Sequence, residues 1–221
     1  MSFWRIDRYP SEFKGRFILD CKKLRIDRMV LVAGCNSSGK STFCERVMQN
    51  EFSDDLGYEN GTDMPFVNPA KLWSNPLDSF FPEQITPECL MHYDLSLVDK
   101  FGLHSFDRDP ATSVIECAKE IDAVLVAPSI ETLKRQIRQS EMNGKKNGGS
   151  PFHREQLERF EEPGYLLNLY GDWLDYLEGL ENHVTLHVFG EFPEGRRLVK
   201  CQTIEAARQH IRRTYSNGTA A

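Results

Sequence analysis

The chain lacks any apolar run approaching the roughly 20 residues that span a bilayer, so no membrane segment is expected. It also lacks a cationic surplus. Its 33 acidic and 27 basic side chains leave a net charge of −6, which argues against general binding to nucleic acid or to anionic membrane surfaces. The six cysteines, Cys21, Cys35, Cys44, Cys89, Cys117 and Cys201, are scattered and show no C-x-x-C spacing, and the one C-x-x-H, Cys89 to His92, has no second pair to complete a zinc set. Neither a zinc site nor a disulfide framework is therefore expected. Scattered thiols fit a reducing compartment, and the expected location is cytoplasmic. The first residues, including Trp4, Arg5, Asp7 and Arg8, contain no apolar h-region, so no secretory signal is expected either. There is no internal repeat, and no N-K-x-D run of the kind that selects guanine.

What is present reads as one α/β domain over residues 1–221, long enough for a substantial core. Four apolar runs, at about 28–34, 89–94, 121–127 and 184–189, read as buried strands. Helical patterns lie between them, which predicts a three-layer, doubly wound, mostly parallel sheet with right-handed crossovers. Asp109 and Pro110 open one predicted helix, over 109–120, and Ser129 caps another through Ile130, Leu133 and Ile137. Residues 164–181 carry a broad apolar face that reads as core. A hairpin over 190–199 and an amphipathic helix over 203–214 close the chain. Two segments break the alternation. Residues 51–88 are rich in Pro, Gly, Asn and acid, and residues 141–152, with Gly144, Gly148 and Gly149, have the composition of a flexible, lid-like loop.

The most specific feature is Gly34-Cys35-Asn36-Ser37-Ser38-Gly39-Lys40-Ser41, followed by Thr42. It is the G-x-x-x-x-G-K-[ST] pattern of a phosphate-binding loop. At ordinary residue frequencies the four fixed positions would match by accident in about one chain in a hundred of this length. Each position has a mechanical reason. The glycines allow a tight turn that aims successive N–H groups at phosphate oxygens. Lys40 reaches the β- and γ-phosphates, and the Ser41 hydroxyl is placed for Mg²⁺. The phosphates then meet the electropositive start of the following helix. Met29–Ala33 before the loop and Phe43, Val47 and Met48 after it supply the strand and helix that such a loop needs.

Turnover needs more than a phosphate cradle. Asp94 ends the run Leu90-Met91-His92-Tyr93-Asp94, at the carboxyl end of a strand, where open α/β sheets place their ligands. Two roles are open for it: a contact to the Mg²⁺ shell, or a base for a substrate hydroxyl. His92 shares its strand face, so a His–carboxylate pair is one reading and a structural histidine the other. Arg135 and Arg138, with Lys145, Lys146 and Arg154 on the glycine-rich segment, could close over a triphosphate; a solvated helix face is the alternative. In residues 51–88, Asn60-Gly61-Thr62-Asp63, Asn68 and Trp73 could contact a second substrate.

This order of parts resembles the P-loop kinases, the group that contains nucleotide, shikimate, gluconate and zeta-toxin-type kinases. The resemblance implies a P-loop NTPase fold, with ATP and Mg²⁺ as cofactors and a small molecule or nucleotide as phosphoryl acceptor. It implies Gly34–Thr42 as the nucleotide loop, Asp94 serving metal or substrate, and Arg135 and Arg138 as phosphate clamps. The His92-Tyr93-Asp94 run departs from the D-x-D signature of the shikimate-kinase type. The loop Asn36–Thr42 also looks like that of ABC-type and recombination ATPases. The chain has no L-S-G-G signature, however, and Leu95 rather than Glu follows Asp94. Two further readings stay open: a nucleotide-dependent switch or slow NTPase acting on a protein partner, and a sulfotransferase-like protein using a nucleotide-linked sulfuryl donor.

Overall fold

The computed structural model describes residues 26–68, 88–100, 102–103, 105–109, 112–145 and 151–216. Its centre is a six-stranded sheet in the order β2-β3-β1-β4-β5-β6. The strands are β1 (Ile26–Gly34), β2 (Phe66–Val67), β3 (Glu88–Asp94), β4 (Ala118–Ala127), β5 (His183–Phe192) and β6 (Gly195–Cys201). The first five are mutually parallel, and β6 returns antiparallel to β5 as the predicted hairpin. The chain is thus an α/β protein with a mostly parallel sheet.

Alternation along β1 divides two cores. Met29, Leu31 and Ala33 point to one face, Val30 and Val32 to the other. On the second face helix α1 (Lys40–Met48) packs Phe43, Cys44 and Val47 beside Phe52 and Phe189, close to the short α2 (Ser53–Leu56). The first face is covered by α5 (Ile130–Lys145), α6 (Pro151–Glu161), α7 (Tyr165–Glu178) and α8 (Ile204–Tyr215). Two short helices, α3 (Leu97–Lys100) and α4 (Thr112–Ile115), lie between β3 and β4. The apolar face of α7 is core, as its pattern predicts: Trp173 is fully buried and stacks on Tyr93 at 4.8 Å. Cys44 and Cys89 are buried, with burial pushing each thiol up to about 12, while Cys117 is half-buried.

Some boundaries differ from the sequence reading. The helix predicted over 109–120 contracts to Thr112–Ile115, because Ala118, Lys119 and Glu120 extend β4 and Ala118 pairs with Ile26. The predicted loop at 141–152 is narrower. Helix α5 continues through Lys145 and α6 starts at Pro151. Residues 146–150, with Lys146, lie outside the described residues, as do 69–87 with Trp73.

The connections matter for the site. From β1 the chain moves toward β2 at one edge, whereas from β3 it moves across β1 to β4 on the other side. The carboxyl ends of β1 and β3, with Gly34 opposite Asp94, therefore flank a topological switch point, where the crevice of an open sheet forms.

Candidate functional site

The loop from Gly34 to Lys40 runs directly from β1 into α1. Gly34 has a steric reason to be glycine: a Cβ there would stand 2.6 Å from the Ser38 Oγ and 2.7 Å from the Val126 carbonyl. Gly39 has a conformational one, a φ of 95°, in the left-handed region that glycine enters without penalty. Ser37 also turns left-handed, with φ 59°. Such reversals gather main-chain N–H groups into an anion-binding concavity. At the start of α1, the N–H groups of the first turn have no intrahelical acceptor.

Long-range side chains hold this loop in place. The Cys35 N–H donates to the Tyr170 hydroxyl at 3.3 Å, and that hydroxyl donates to the Val126 carbonyl at 2.7 Å. The Asn36 N–H donates to the Ser96 Oγ at 2.9 Å, which also accepts from the Gln156 Nε2 at 3.1 Å. On the outer side, the Arg196 guanidinium donates to the Ser38 carbonyl at 3.0 Å and lies 4.6 Å above the Phe189 ring. Ser96, Gln156, Tyr170 and Arg196 carry no motif. Tyr170 reads as core from its helical spacing, which is also true of its ring.

Lys40 is 3% exposed. Its ammonium donates to the Cys35 carbonyl at 2.6 Å and stands 3.7 Å from the Asp94 carboxylate. Asp94 Oδ1 also accepts the Ser96 N–H at 3.0 Å, so the residue turns the chain out of β3 while facing the loop. The Ser41 hydroxyl lies 3.3 Å from the His92 Nε2. Burial, then the Lys40 charge, drives the His92 imidazole down to about 4 against the pull of Asp94. The ring is neutral at ordinary pH. Among the described residues His92 forms no hydrogen bond with Asp94 and is within reach of the Ser41 hydroxyl instead.

These groups open on a cavity of about 390 Å³, lined by Asn36, Ser37, Gly39, Lys40, Ser41, His92, Asp94 and, from α5, Gln136, Gln139 and Ser140. Arg135 and Arg138 are exposed and outside this lining. The Arg135 guanidinium donates to the Thr132 Oγ1 at 3.4 Å. Gln136, Gln139 and Ser140 form one i, i+3, i+4 stripe along α5; at about 100° per residue Arg138 falls on the far side of the helix from that stripe and Arg135 about 90° to its side. Lys134 pairs with Glu161 at 2.7 Å and Arg159 with Glu155 at 3.0 Å. Those two cations are occupied on the surface.

Asn60-Gly61-Thr62-Asp63 bond to their own chain. Gly61 N–H donates to the Asn50 Oδ1 at 2.7 Å, and the Thr62 hydroxyl donates to the Met48 carbonyl at 2.9 Å. They close the end of α1. A larger cavity of about 1240 Å³ lies on the α7 side and presents Asp99, Asp107, Glu116 and Asp172 beside Tyr165 and Tyr176. Its carboxylates would repel a phosphate, so the smaller cavity is the candidate anion site.

The donor chemistry of that cavity fits a polyphosphate with a divalent ion. A buried lysine and helix-start amides meet anionic oxygens, and Ser41 and Asp94 offer oxygen ligands. Among the described residues there is no group of three or more His, Cys, Asp or Glu placed to hold a metal by itself. An ion here would need the phosphates as co-ligands. Among the described residues no helix is long and apolar enough to cross a membrane. Compared with protein-family models, with curated proteins and with solved structures, the chain gives no match.

Proposed function

We propose that this chain binds ATP through Gly34–Thr42 and transfers its terminal phosphoryl group to a small molecule or nucleotide. The observation that carries the reading is the meeting, at one switch point, of a left-handed glycine-rich turn, a buried Lys40 and a strand-end Asp94 3.7 Å from it. A sheet with such a loop at the end of its central strand is what a P-loop NTPase fold requires. The five described cysteines are free, which supports a cytoplasmic setting.

Each residue has a part. The first-turn amides of α1 orient the phosphates at the positive end of the helix. Lys40 gives up its contact to the Cys35 carbonyl and meets the outer phosphates, offsetting negative charge in a partly enclosed site. Asp94, released from Lys40, orients the acceptor hydroxyl or takes its proton. Gln136 and Gln139 wall the cavity with neutral hydrogen-bonding groups. A divalent ion, when bound beside Ser41 and Asp94, supplies Lewis-acid neutralisation of the phosphate oxygens. Arg135 and Arg138 have no part in this arrangement.

One observation favours a second reading. Lys40 is the one cation in the described lining, and a single cation suits a slow NTPase or a nucleotide-dependent switch as well as a kinase. Calorimetry with Mg²⁺·ATP tests the binding: heat and thermal protection in the wild type, and loss of both in Lys40→Ala, are expected. A screen of hydroxylated metabolites and nucleotides for stimulated ADP release separates the two readings. Stimulation by an acceptor identifies a kinase, and an unstimulated basal rate identifies the switch.

A further inference from the structure

The Ser41–His92 contact places a nitrogen donor where an oxygen site is expected. His92 is 8% exposed and its Nε2 faces the Ser41 hydroxyl at 3.3 Å inside the cavity. Its Nδ1 is buried with no hydrogen-bond partner among the described residues. Among the described residues, Ser41 is the side chain within hydrogen-bond reach of the ring. Two donors that share an octahedral ion in neighbouring positions, each bonded at about 2.1 Å, stand about 3.0 Å apart. The Ser41–His92 pair is within a few tenths of an ångström of that spacing without any change of backbone.

We infer that His92 is a metal ligand, and that the ion accompanying the nucleotide is held by Ser41 Oγ and His92 Nε2 together, which selects a first-row transition ion over Mg²⁺. Imidazole suits Fe²⁺, Ni²⁺, Cu²⁺ and Zn²⁺ best, and Mn²⁺, at the weak end of that series, still accepts it more readily than Mg²⁺, which takes oxygen donors and keeps its waters. The inference rests on the nucleotide reading above, because the phosphates complete the coordination. It also gives the His92-Tyr93-Asp94 run a purpose: residues two apart on a strand face the same side, so a nitrogen and a carboxylate approach one ion from β3.

The test uses the full chain with ADP and Mn²⁺, read by pulsed electron paramagnetic resonance and by calorimetry. The wild-type Mn²⁺·ADP complex is expected to show ¹⁴N hyperfine coupling from a directly bonded imidazole, absent in His92→Gln. The substitution should weaken Mn²⁺·ADP binding about tenfold or more and change Mg²⁺·ADP binding by less than about twofold, as loss of a nitrogen that Mg²⁺ does not use implies. A wild-type Mn²⁺·ADP complex without ¹⁴N coupling overturns the assignment and leaves the nucleotide reading standing. Equal Mn²⁺·ADP affinity in wild type and His92→Gln does the same. If ADP binds with neither ion, both readings fall. Protein grown with ¹⁵N-histidine separates an imidazole from the adenine nitrogens, because only the former changes to ¹⁵N coupling, so a misfolded His92→Gln leaves the test decisive.

Discussion

Lys40 and Asp94 lie 3.7 Å apart across the end of the central strands, one at the start of α1 and the other at the last residue of β3. Each holds the other until a ligand arrives. On the proposed nucleotide reading, replacing Lys40 by Ala removes the cation that would meet the outer phosphates and leaves the carboxylate facing them. Turnover should fall by at least about a hundredfold, as for loss of one preorganised electrostatic group, and nucleotide affinity should fall with it. Asp94→Asn keeps the shape and removes the charge. Its expected signature is ATP affinity within a few-fold of wild type with most turnover lost, read by calorimetry beside an ADP-release assay. Unchanged turnover in Asp94→Asn would remove this carboxylate from the mechanism.

Tyr170 supports the loop from 135 positions away in sequence. Its hydroxyl accepts from Cys35 and donates to Val126 while the ring stays fully buried. Tyr170→Phe keeps the ring and orphans a buried N–H and a buried carbonyl. The expected cost is about 1–3 kcal/mol, seen as a lower denaturant midpoint, with weaker nucleotide binding because the first turn of the loop is freed. A stability loss with unaltered ADP affinity would confine Tyr170 to the core.

Much of the sheet was legible because buried parallel strands read as continuous apolar runs, and the runs near 28–34, 89–94, 121–127 and 184–189 all fall within strands. The two-residue β2 has no such run, and the ends of β4 were obscured because Ala118-Lys119-Glu120 also suit a helix. The loop Gly34–Thr42 was legible because its constraints are local and steric. Its supports were not. Ser96, Gln156 and Tyr170 act through contacts 60 or 135 positions away, and no local pattern encodes those. Arg135 and Arg138 stood out by charge, yet the side of α5 that meets the cavity is the uncharged stripe Gln136, Gln139 and Ser140, which no charge pattern marks. The acidic turn at Asn60–Asp63 looked available to a substrate, but its hydrogen bonds close α1.

Arg196 ties the β5–β6 hairpin to the loop. Much of its side chain is exposed to solvent, while the guanidinium lies above the Phe189 ring and donates to the Ser38 carbonyl. Burial, with Arg46 nearby, lowers its guanidinium below the usual arginine range, against the pull of Glu191. Neither Arg196 nor Ser38 is in the cavity lining, so the contact sets the loop from outside the site. Arg196→Ala should cost about 0.5–1.5 kcal/mol through the lost hydrogen bond and ring contact, at the low end because the residue is exposed. Arg196→Lys should recover only part of that, because an ammonium lacks the planar fork. Denaturation curves for the three proteins, with ADP affinity alongside, check the order wild type, Lys, Ala.

The acid limit of stability should be set in part by Asp122 on β4. Its carboxylate accepts from Arg28 Nε at 2.9 Å and Nη2 at 2.8 Å and lies 3.3 Å from the His187 Nε2, with the aspartate 8% exposed. Burial alone would push this carboxyl up. The hydrogen bonds from His187 and Arg28, with their charges, outweigh it and hold it below the usual aspartate range. A folded-state value below the unfolded one means that the unfolded chain binds the proton more readily. The stabilisation is therefore fully present above the unfolded value, near pH 4, and is lost as pH falls through the folded one. Asp122→Asn should destabilise the protein at pH 7 by about 1–3 kcal/mol, through weakened charged hydrogen bonds to two buried or half-buried partners. The gap to wild type should hold from pH 7 to about 5 and narrow below about 4. Urea denaturation of both proteins across that range measures it, and a gap that stays constant down to pH 3 would show that Asp122 is held by packing rather than by its charge.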